Sequence, residues 1–478
     1  MCESGPGSGS PRAIPTGRMQ SRPESRVDRS SQVEQADARC WPVVETLQSS
    51  ALGLTMAVLG IAPRAVPAML GACAVLTLIQ PLIAGQRPID VGRQVMQPLP
   101  MRLVLMLLGY ALLSVLWSSD KGLAFLSVIQ ALAVALATGV LAALLPRQLA
   151  GLSPQRCRRF VRSIALGGGI AIAFVLFELA TDNAVSVAVI RHYPSLMGDS
   201  AKEVVRDGNG IIGLQAFYLD RNVAALALAA PAILAAALIW ARPVNAMRVA
   251  SALLLAIITS IFLSHSEAAK LAAVAGIVAA LAIVSRPATT VRALRFLLVG
   301  GVLLALPIGH LPSALGLEQA TWLLPSARER AMIWDRTATA VRRAPLLGIG
   351  VQSTRFQSSP AATQIEGIRG KRRELGWHAH NFVLQTWLEL GAVGALLLSA
   401  LGLALAGAVA RNEPVAQSAA VATLATAVAI AVTGWGIWQP WLLAAMGTAI
   451  VGLAVTQSGR HVLDAAPSLP APWAPMSL

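Results

Sequence analysis

Charged residues and cysteines are scarce in this chain of 478 residues. Asp, Glu, Lys and Arg together make up 13% of it, whereas hydrophobic residues make up 55%. This balance, with apolar runs long enough to cross a bilayer, excludes an ordinary soluble domain and predicts a polytopic α-helical membrane protein. The cysteines are scattered without metal-ligand spacing, at Cys2, Cys40, Cys73 and Cys157. Neither a disulfide framework nor a zinc site is therefore predicted.

Acidic residues are outnumbered by basic ones, which gives a formal net charge of +15. An excess of this kind could indicate a nucleic-acid-binding protein. In membrane proteins, however, Lys and Arg are enriched in the cytoplasmic loops. Topology, together with a basic N-terminal tail, explains the charge, so no nucleic-acid partner is expected.

Apolar segments of membrane-crossing length recur along the chain and predict an all-α integral membrane protein with about 12 transmembrane helices. We expect a large periplasmic loop between helices 9 and 10. The predicted spans are 43–62, 65–85, 101–118, 122–145, 163–181, 222–241, 248–264, 268–285, 294–310, 381–410, 416–435 and 438–456.

The two ends of the chain have a different composition. Residues 1–42 are rich in Ser, Pro, Arg and Gln, which predicts a disordered cytoplasmic tail, and we expect no signal peptide before the first span. A second disordered tail is predicted at 457–478, which is rich in Pro. Between the tails, helices 1–9 occupy 43–310, the periplasmic loop 311–380 and helices 10–12 residues 381–456.

Arginines in the short loops predict the orientation. The short loops on the other side are nearly free of Lys and Arg, so the arginine side is cytoplasmic and both termini lie inside. Two long loops, 182–221 and 311–380, then face outward, and long loops often carry function. The arginines in question are Arg87, Arg93, Arg102, Arg147, Arg156, Arg158, Arg159, Arg162, Arg286, Arg292 and Arg295.

Two histidines and an asparagine, His378, His380 and Asn381, stand just before the tenth apolar span. In a helix from about His380, Asn381 shares one face with Gln385 and Glu389, because they are spaced at i, i+4 and i+8. Polar side chains inside hydrocarbon cost several kcal/mol unless they face protein or a wet cavity. This polar stripe therefore predicts a site.

The large outer loop has a helical pattern from Pro325 to Arg343. On this helix Arg330 heads an apolar face and should point toward the protein or the membrane surface. One hypothesis makes Arg330 part of a site. The alternative is an arginine whose stem lies along the membrane surface while its charge reaches water.

Several ordered motifs together resemble the O-antigen ligase and polymerase superfamily, across residues 50–456. They are Arg330-Ala-Met-Ile-Trp334, Pro345-Leu-Leu-Gly-Ile-Gly350, His380-Asn381, Leu384-Gln385 and Glu389-Leu-Gly391. The resemblance implies an inverting, metal-independent glycosyltransferase of the bacterial inner membrane that needs no cofactor. Its donor would be a glycan on undecaprenyl pyrophosphate, a membrane lipid, and its acceptor lipid A-core or a growing glycan, for lipopolysaccharide or exopolysaccharide synthesis.

By the same resemblance, Arg330 would bind the pyrophosphate, and His380 would act as general base or orient the acceptor. A guanidinium can neutralise the diphosphate leaving group without a metal, and histidine can take a proton near neutral pH. Asn381, His378 and Trp377 could line the same entrance. The run Lys371-Arg372-Arg373 could do so too, or could only touch lipid headgroups.

Two further cations are candidates for binding substrate. Where the family usually has Ser-Arg-Gly, this chain has Ser264-His-Ser-Glu-Ala-Ala-Lys270. Lys270 could supply the missing charge or pair with Glu267 three residues earlier, and His265 is a further candidate. Arg221 enters the sixth span and would be a second phosphate ligand, or an interfacial anchor paired with Asp220.

Two alternative functions stay open from the sequence. A polymerase of the same superfamily differs from a ligase only in its acceptor; Trp387-Leu-Glu-Leu-Gly391 and the arginine on the sixth span favour the ligase branch. A secondary transporter or lipid-carrier flippase could use Glu389, Glu267 and Lys270 as intramembrane charges. Against the transporter, we find no internal repeat, and the polar residues collect at the outer rim rather than at the midplane.

Overall fold

The structure is a computed structural model that describes residues 29–193, 204–207, 210–215, 217–241, 243–357 and 378–465. Its contacts separate Met1–Val43 from Val44–Leu478, and the helices after Val43 pack within the second unit. The described α-helices are α1 Arg29–Ile61, α2 Val66–Ile83, α3 Pro88–Met96, α4 Leu99–Ser114, α5 Lys121–Ala150, α6 Pro154–Ala180, α7 Ala184–His192, α8 Asp220–Trp240, α9 Pro243–Leu263, α10 Glu267–Ser285, α11 Pro287–Leu303, α12 Ala305–Ala314, α13 Pro325–Val341, α14 Phe382–Ala410, α15 Pro414–Thr433 and α16 Pro440–Asp464.

Eleven of these helices are long and apolar enough to cross a membrane, or up to 12 if a bent pair counts as one span. The predicted all-α polytopic fold is thus confirmed. Within the described residues, strands are confined to an antiparallel pair between α7 and α8, β1 Val204–Asp207 and β2 Gly210–Leu214.

The ninth predicted span, 294–310, is not one helix. It is broken between α11 and α12, which meet at an angle of 74°. Pro307 explains the break, because it has no N–H to donate and its ring would clash with the carbonyl of Leu303 in a continuous helix. As a result, α12 turns away to pack against α13 and α14.

The structure describes helices that extend into both predicted tails. Helix α1 begins at Arg29, so residues 29–42 are helical where composition predicted disorder. Likewise α16 continues to Asp464, through the first part of the predicted 457–478 tail. Residues 1–28 and 466–478 lie outside the described residues.

Long-range hydrogen bonds join several helix ends on one face of the bundle, which we call the site face. The Asn222 amide donates to the Gly60 carbonyl at 2.8 Å, at the start of α8 and the end of α1. Ser118, between α4 and α5, donates to the Val351 carbonyl at 2.7 Å. Because successive spans alternate in direction, the arginine-rich loops around α3 and between α5 and α6 lie on the opposite face, the basic face.

Candidate functional site

Asn381 fixes where α14 begins. Its side-chain oxygen accepts hydrogen bonds from the backbone N–H groups of Val383 at 3.0 Å and Leu384 at 3.1 Å. This is the usual N-cap arrangement, which satisfies helix donors that have no partner in the helix itself. The Asn381 oxygen is therefore used by the fold, and only the rest of its amide is left for the predicted substrate contact.

His380 stands immediately before this cap in a left-handed conformation, with a φ of 50°. A non-glycine residue in this region is strained and persists only when its surroundings hold it. What holds it is a hydrogen bond of 2.8 Å between Nδ1 and the Gly434 carbonyl, in the loop between α15 and α16. Because a carbonyl can only accept, Nδ1 carries the proton, and Nε2 of neutral His380 has a free lone pair.

His378 contacts both the backbone and the ring of His380. Its Nδ1 accepts the backbone N–H of His380 at 3.3 Å, and the two rings meet edge to face with centroids 4.1 Å apart. Burial lowers the pKa of His378 to about 3, with smaller contributions from the charges of His380, Arg355 and Arg330. Burial also lowers the pKa of His380, the Gly434 hydrogen bond opposes this, and the charge of Arg330 adds to it. Both imidazoles are therefore neutral at pH 7.

Arg330 lies on α13, which begins at Pro325 as the sequence predicts. The residues on its predicted face, Ile333, Thr337 and Val341, are buried. Burial lowers the pKa of Arg330, and the charges of Glu329, Asp220 and Glu267 oppose that effect. Its Nε atom is buried without a hydrogen-bond partner among the described residues. A guanidinium remains charged in proteins, so a partly desolvated cation stands within electrostatic range of both histidines.

The first turns of α8 and α10 bring further charges to Arg330. Asp220 lies within electrostatic range of Arg330, Glu267, Arg221 and Lys270. Arg221, Lys270 and Arg330 thus all lie within electrostatic range of one carboxylate, that of Asp220. Lys270 donates to Glu267 at 2.9 Å, so the structure shows the pairing that was its alternative interpretation. His265, in the same turn, is exposed.

The deeper part of the polar stripe serves the fold. Gln385 accepts the backbone N–H of Ile437 at 3.2 Å and donates to Glu389 at 3.2 Å. Glu389 is fully buried and also accepts from the Thr354 hydroxyl at 2.6 Å and from the Trp438 indole. These two residues join loops to α14, so the prediction of a site now concerns only the start of the stripe, at His380 and Asn381. Glu389, one of the intramembrane charges proposed for a transporter, is thus already hydrogen-bonded to the protein itself.

Glycines in two of the motifs let a loop join a break in α14. Gly391 has a φ of 61° and interrupts the helix, and Gly348 has a φ of 75°. The freed backbone groups are taken up by the loop, since Gly350 N–H donates to the Glu389 carbonyl and Ala392 N–H to the Pro345 carbonyl, each at 2.9 Å. A Cβ on Gly348 would lie 2.3 Å from the Glu389 backbone. The loop at 345–350, which follows α13, is thus hydrogen-bonded to the break in α14, and this fixes the position of α13 relative to α14.

Arg355 is a cation near the site that the sequence analysis missed. It follows the Gly348–Gly350 motif, and its charge reaches His378. Its guanidinium donates to Gln352 at 2.7 Å, and the Gln352 amide in turn donates to Ser127 at 2.8 Å. The only sequence signal was its position a few residues after that motif. The predicted residues Lys371, Arg372, Arg373 and Trp377 lie outside the described residues.

Comparison with known proteins supports the family resemblance. Residues 251–399 match the family model described as O-antigen ligase. Proteins provisionally named polysaccharide ligase, from Rickettsia conorii and Rickettsia felis, are each 36% identical to this chain over 73 residues, 15% of this chain and 18% of the relative. A relative from Rickettsia bellii with the same provisional name is 37% identical over 76 residues, 16% of this chain and 19% of the relative.

The region that matches the family model contains most of the candidate site residues. Residues 251–399 contain Lys270, Arg330 and His380, whereas Arg221 lies before them. The matched segments span less than a fifth of the length of the rickettsial relatives. The predicted resemblance to the O-antigen ligase family is confirmed over residues 251–399, in a chain whose described helices are those of a multi-pass membrane protein.

Proposed function

We propose that this protein is an inverting, metal-independent glycosyltransferase that moves a polysaccharide from undecaprenyl pyrophosphate to an acceptor hydroxyl. The reaction would take place at the periplasmic face of the bacterial inner membrane, in lipopolysaccharide or exopolysaccharide synthesis. One observation carries the proposal. Within the region that matches the O-antigen ligase family, a neutral His380 with a free Nε2 stands within electrostatic range of the half-buried Arg330.

Arg330 would bind the donor pyrophosphate. As the glycosidic bond breaks, its electron pair passes to a phosphate oxygen, and negative charge grows on the leaving group. A guanidinium can meet two of these oxygens at once, and its attraction is stronger where water is excluded. Arg221 and Lys270 at the same rim would add to the positive potential, although in the free protein Glu267 shares the charge of Lys270.

His380 would take the proton of the acceptor hydroxyl. In this step the acceptor oxygen forms a bond to the anomeric carbon on the face opposite the pyrophosphate, its proton passes to Nε2, and the configuration inverts. The resulting imidazolium is stabilised by the Gly434 carbonyl at Nδ1. Since the charge of Arg330 lowers the pKa of His380 in the free protein, an anionic donor at Arg330 would offset this effect and make His380 a stronger base.

The orientation of the chain fits this assignment. The site face is opposite the arginine-rich loops, which would be cytoplasmic with both termini. A lipid-linked donor would then enter from the outer leaflet, and the acceptor would be lipid A-core for a ligase or a growing glycan for a polymerase. A strain that lacks a ligase should accumulate long lipid-linked chains, whereas loss of a polymerase should leave single repeat units.

The decisive experiment uses purified protein, a lipid-linked oligosaccharide and candidate acceptors. Arg330→Ala and His380→Ala should each lower transfer by at least ~100-fold, the usual scale for losing a transition-state charge partner or a general base. Arg342→Ala, at the exposed end of α13, and His461→Gln, at the basic face, should retain full activity. Full transfer by a folded Arg330 or His380 variant would refute the mechanism.

A further inference from the structure

A large apolar cavity opens on the basic face, away from the site. Its volume is about 1180 Å³. Its walls come mainly from α8, α9, α10, α15 and α16, and the lining residues of α8, α9 and α10 are Ala, Leu, Ile and Val apart from Pro231 and Gly276. Helix α9 forms the outer wall, and only 22% of its most apolar segment is buried. The threonine hydroxyls in its depth, on Thr426 and Thr456, already donate to the Ala272 and Leu453 carbonyls. A cavity of this kind inside a bilayer fills with hydrocarbon chains, since a buried water needs several polar partners.

The depth of the cavity matches one leaflet. Along α15 it is lined from Pro414 to Thr426, and along α8 from Ala227 to Ile239. At 1.5 Å per residue, each stretch is about 18 Å long. The hydrocarbon of one leaflet is about 15 Å thick. Chains that enter from the basic face would therefore fit along these two helices. On α8 the lining ends about 10 Å short of Asp220, whereas on α9 it continues to Ile261, three residues before Ser264.

Polar lining residues are concentrated at the mouth of the cavity, and its two carboxylates already have partners there. Asp464 accepts from Arg460 at 3.3 Å, and Glu413 lies 4.0 Å from Nδ1 of His461. Arg158, also at the mouth, makes no ion pair within the described part of the chain. At the mouth, the charge of Asp464 is thus balanced by Arg460, and Arg158 adds a further positive charge.

A second, smaller cavity of about 390 Å³ adjoins this mouth. The two cavities share Pro287 and Gln417 in their linings, and the smaller one also contains Arg292 and Arg295. Neither arginine makes an ion pair with a described residue, and both are exposed. An apolar groove one leaflet deep thus ends beside two arginines that have no carboxylate partner.

From this combination we infer that the protein binds an anionic phospholipid of the leaflet at its basic face. Its acyl chains lie in the large cavity, and its phosphate lies in the small one, against Arg292 and Arg295. Guanidinium groups suit a phosphate because they donate two parallel hydrogen bonds. The lipid would give α9 a packed inner face, and α9 leads directly to the Ser264–Lys270 turn at the site.

The test measures lipid binding by the full-length protein in detergent, by native mass spectrometry with phosphatidylglycerol or phosphatidylcholine of the same chains. Wild-type protein should bind phosphatidylglycerol at least ~10-fold more tightly. The double variant Arg292→Gln/Arg295→Gln should weaken that binding by ~10- to 30-fold, as expected from two arginines at an anionic lipid. Arg102→Gln/Arg159→Gln removes the same charge from the same face outside both cavities, and should leave the affinity unchanged.

A second pair of variants tests the chain-binding part. Ala280→Phe fills the large cavity and should abolish tight binding, whereas Val278→Phe, exposed on the same helix and outside the lining, should retain it. If Ala280→Phe does not fold, Ala235→Phe fills the cavity from α8. Equal affinity for the two lipids, or tight phosphatidylglycerol binding by a folded cavity-filling variant, would overturn the inference. So would displacement of phosphatidylglycerol by equimolar undecaprenyl phosphate. None of these readouts depends on glycan transfer.

Discussion

Replacing His378 with asparagine should make the protein less sensitive to mild acid. The pKa of His378 is about 3 in the folded protein, against an ordinary value of 6.5, mainly because the ring is buried. Between these values the unfolded chain binds a proton at this position and the folded protein does not. Acid therefore favours unfolding, and the stability contributed by neutral His378 is present above pH 6.5 and is lost as the pH falls toward 3.

The size of the effect follows from the two pKa values. At pH 5 the unfolded imidazole is almost fully protonated, and the folded one is not, so His378 lowers the free energy of unfolding by about 2 kcal/mol relative to pH 7. His378→Asn keeps an acceptor oxygen for the backbone N–H of His380, which His378 accepts at 3.3 Å, and removes the titration. Other groups that titrate in this range are common to both proteins and cancel in the difference.

The assay is unfolding by a denaturing detergent in mixed micelles, followed at pH 7 and pH 5 for wild type and variant. The loss of stability between the two pH values should be about 2 kcal/mol smaller for His378→Asn. His461→Gln removes an exposed histidine at the basic face and serves as the control, with the pH dependence of the wild type. If His378→Asn loses as much stability in acid as the wild type, His378 is not held neutral by its surroundings.

Other variants probe the parts of α14. Glu389→Ala should cost ~3 kcal/mol or more of unfolding free energy, because it leaves buried donors without an acceptor, whereas Ser399→Ala should cost little since its hydroxyl has no partner; chemical denaturation measures both. Gly391→Ala should cost ~2 kcal/mol or more in the same assay, because a Cβ would lie 2.4 Å from the Leu346 carbonyl. Asn381→Ala should cost ~1 kcal/mol, and Asn381→Asp, which keeps the cap, much less. In a plot of kcat/KM against pH, activity should fall on the acid side with a midpoint below pH 6.5, because burial lowers the pKa of His380. A midpoint above pH 6.5 would contradict this assignment.

Local sequence signals predicted the long helices well. Runs of apolar residues identified the spans, and the helical pattern after Pro325 placed α13 and its buried face. The bend in the ninth span was missed because length and hydropathy cannot show that a helix bends, although Pro307 carried the signal. The interruption at Gly391 had no comparable signal, since glycine also occurs inside straight helices. Only the hydrogen bonds from the 345–350 loop make the interruption stable.

The site was harder to predict than the fold because its geometry depends on distant parts of the chain. His380 and Arg330 were identified from motifs, but the bond that fixes the His380 proton comes from Gly434, 54 residues away. Arg355 was missed for the same reason. Arg355 donates to Gln352, three residues earlier, and Gln352 is in turn held by Ser127, which lies 225 residues away in a segment with no matching pattern.

The polar stripe on α14 shows why loss of activity alone would not identify catalytic groups here. Glu389 and Gln385 bind loops to the helix, and those loops hold His380 in its strained left-handed conformation. A substitution at Glu389 should therefore abolish transfer just as one at His380 does, by releasing the histidine rather than by removing a base. The two cases differ in stability. His380→Ala removes one partly buried hydrogen bond and leaves the φ of 50° occupied by a residue with a Cβ, a modest cost, so the protein should remain folded, whereas Glu389→Ala should lose stability and activity together.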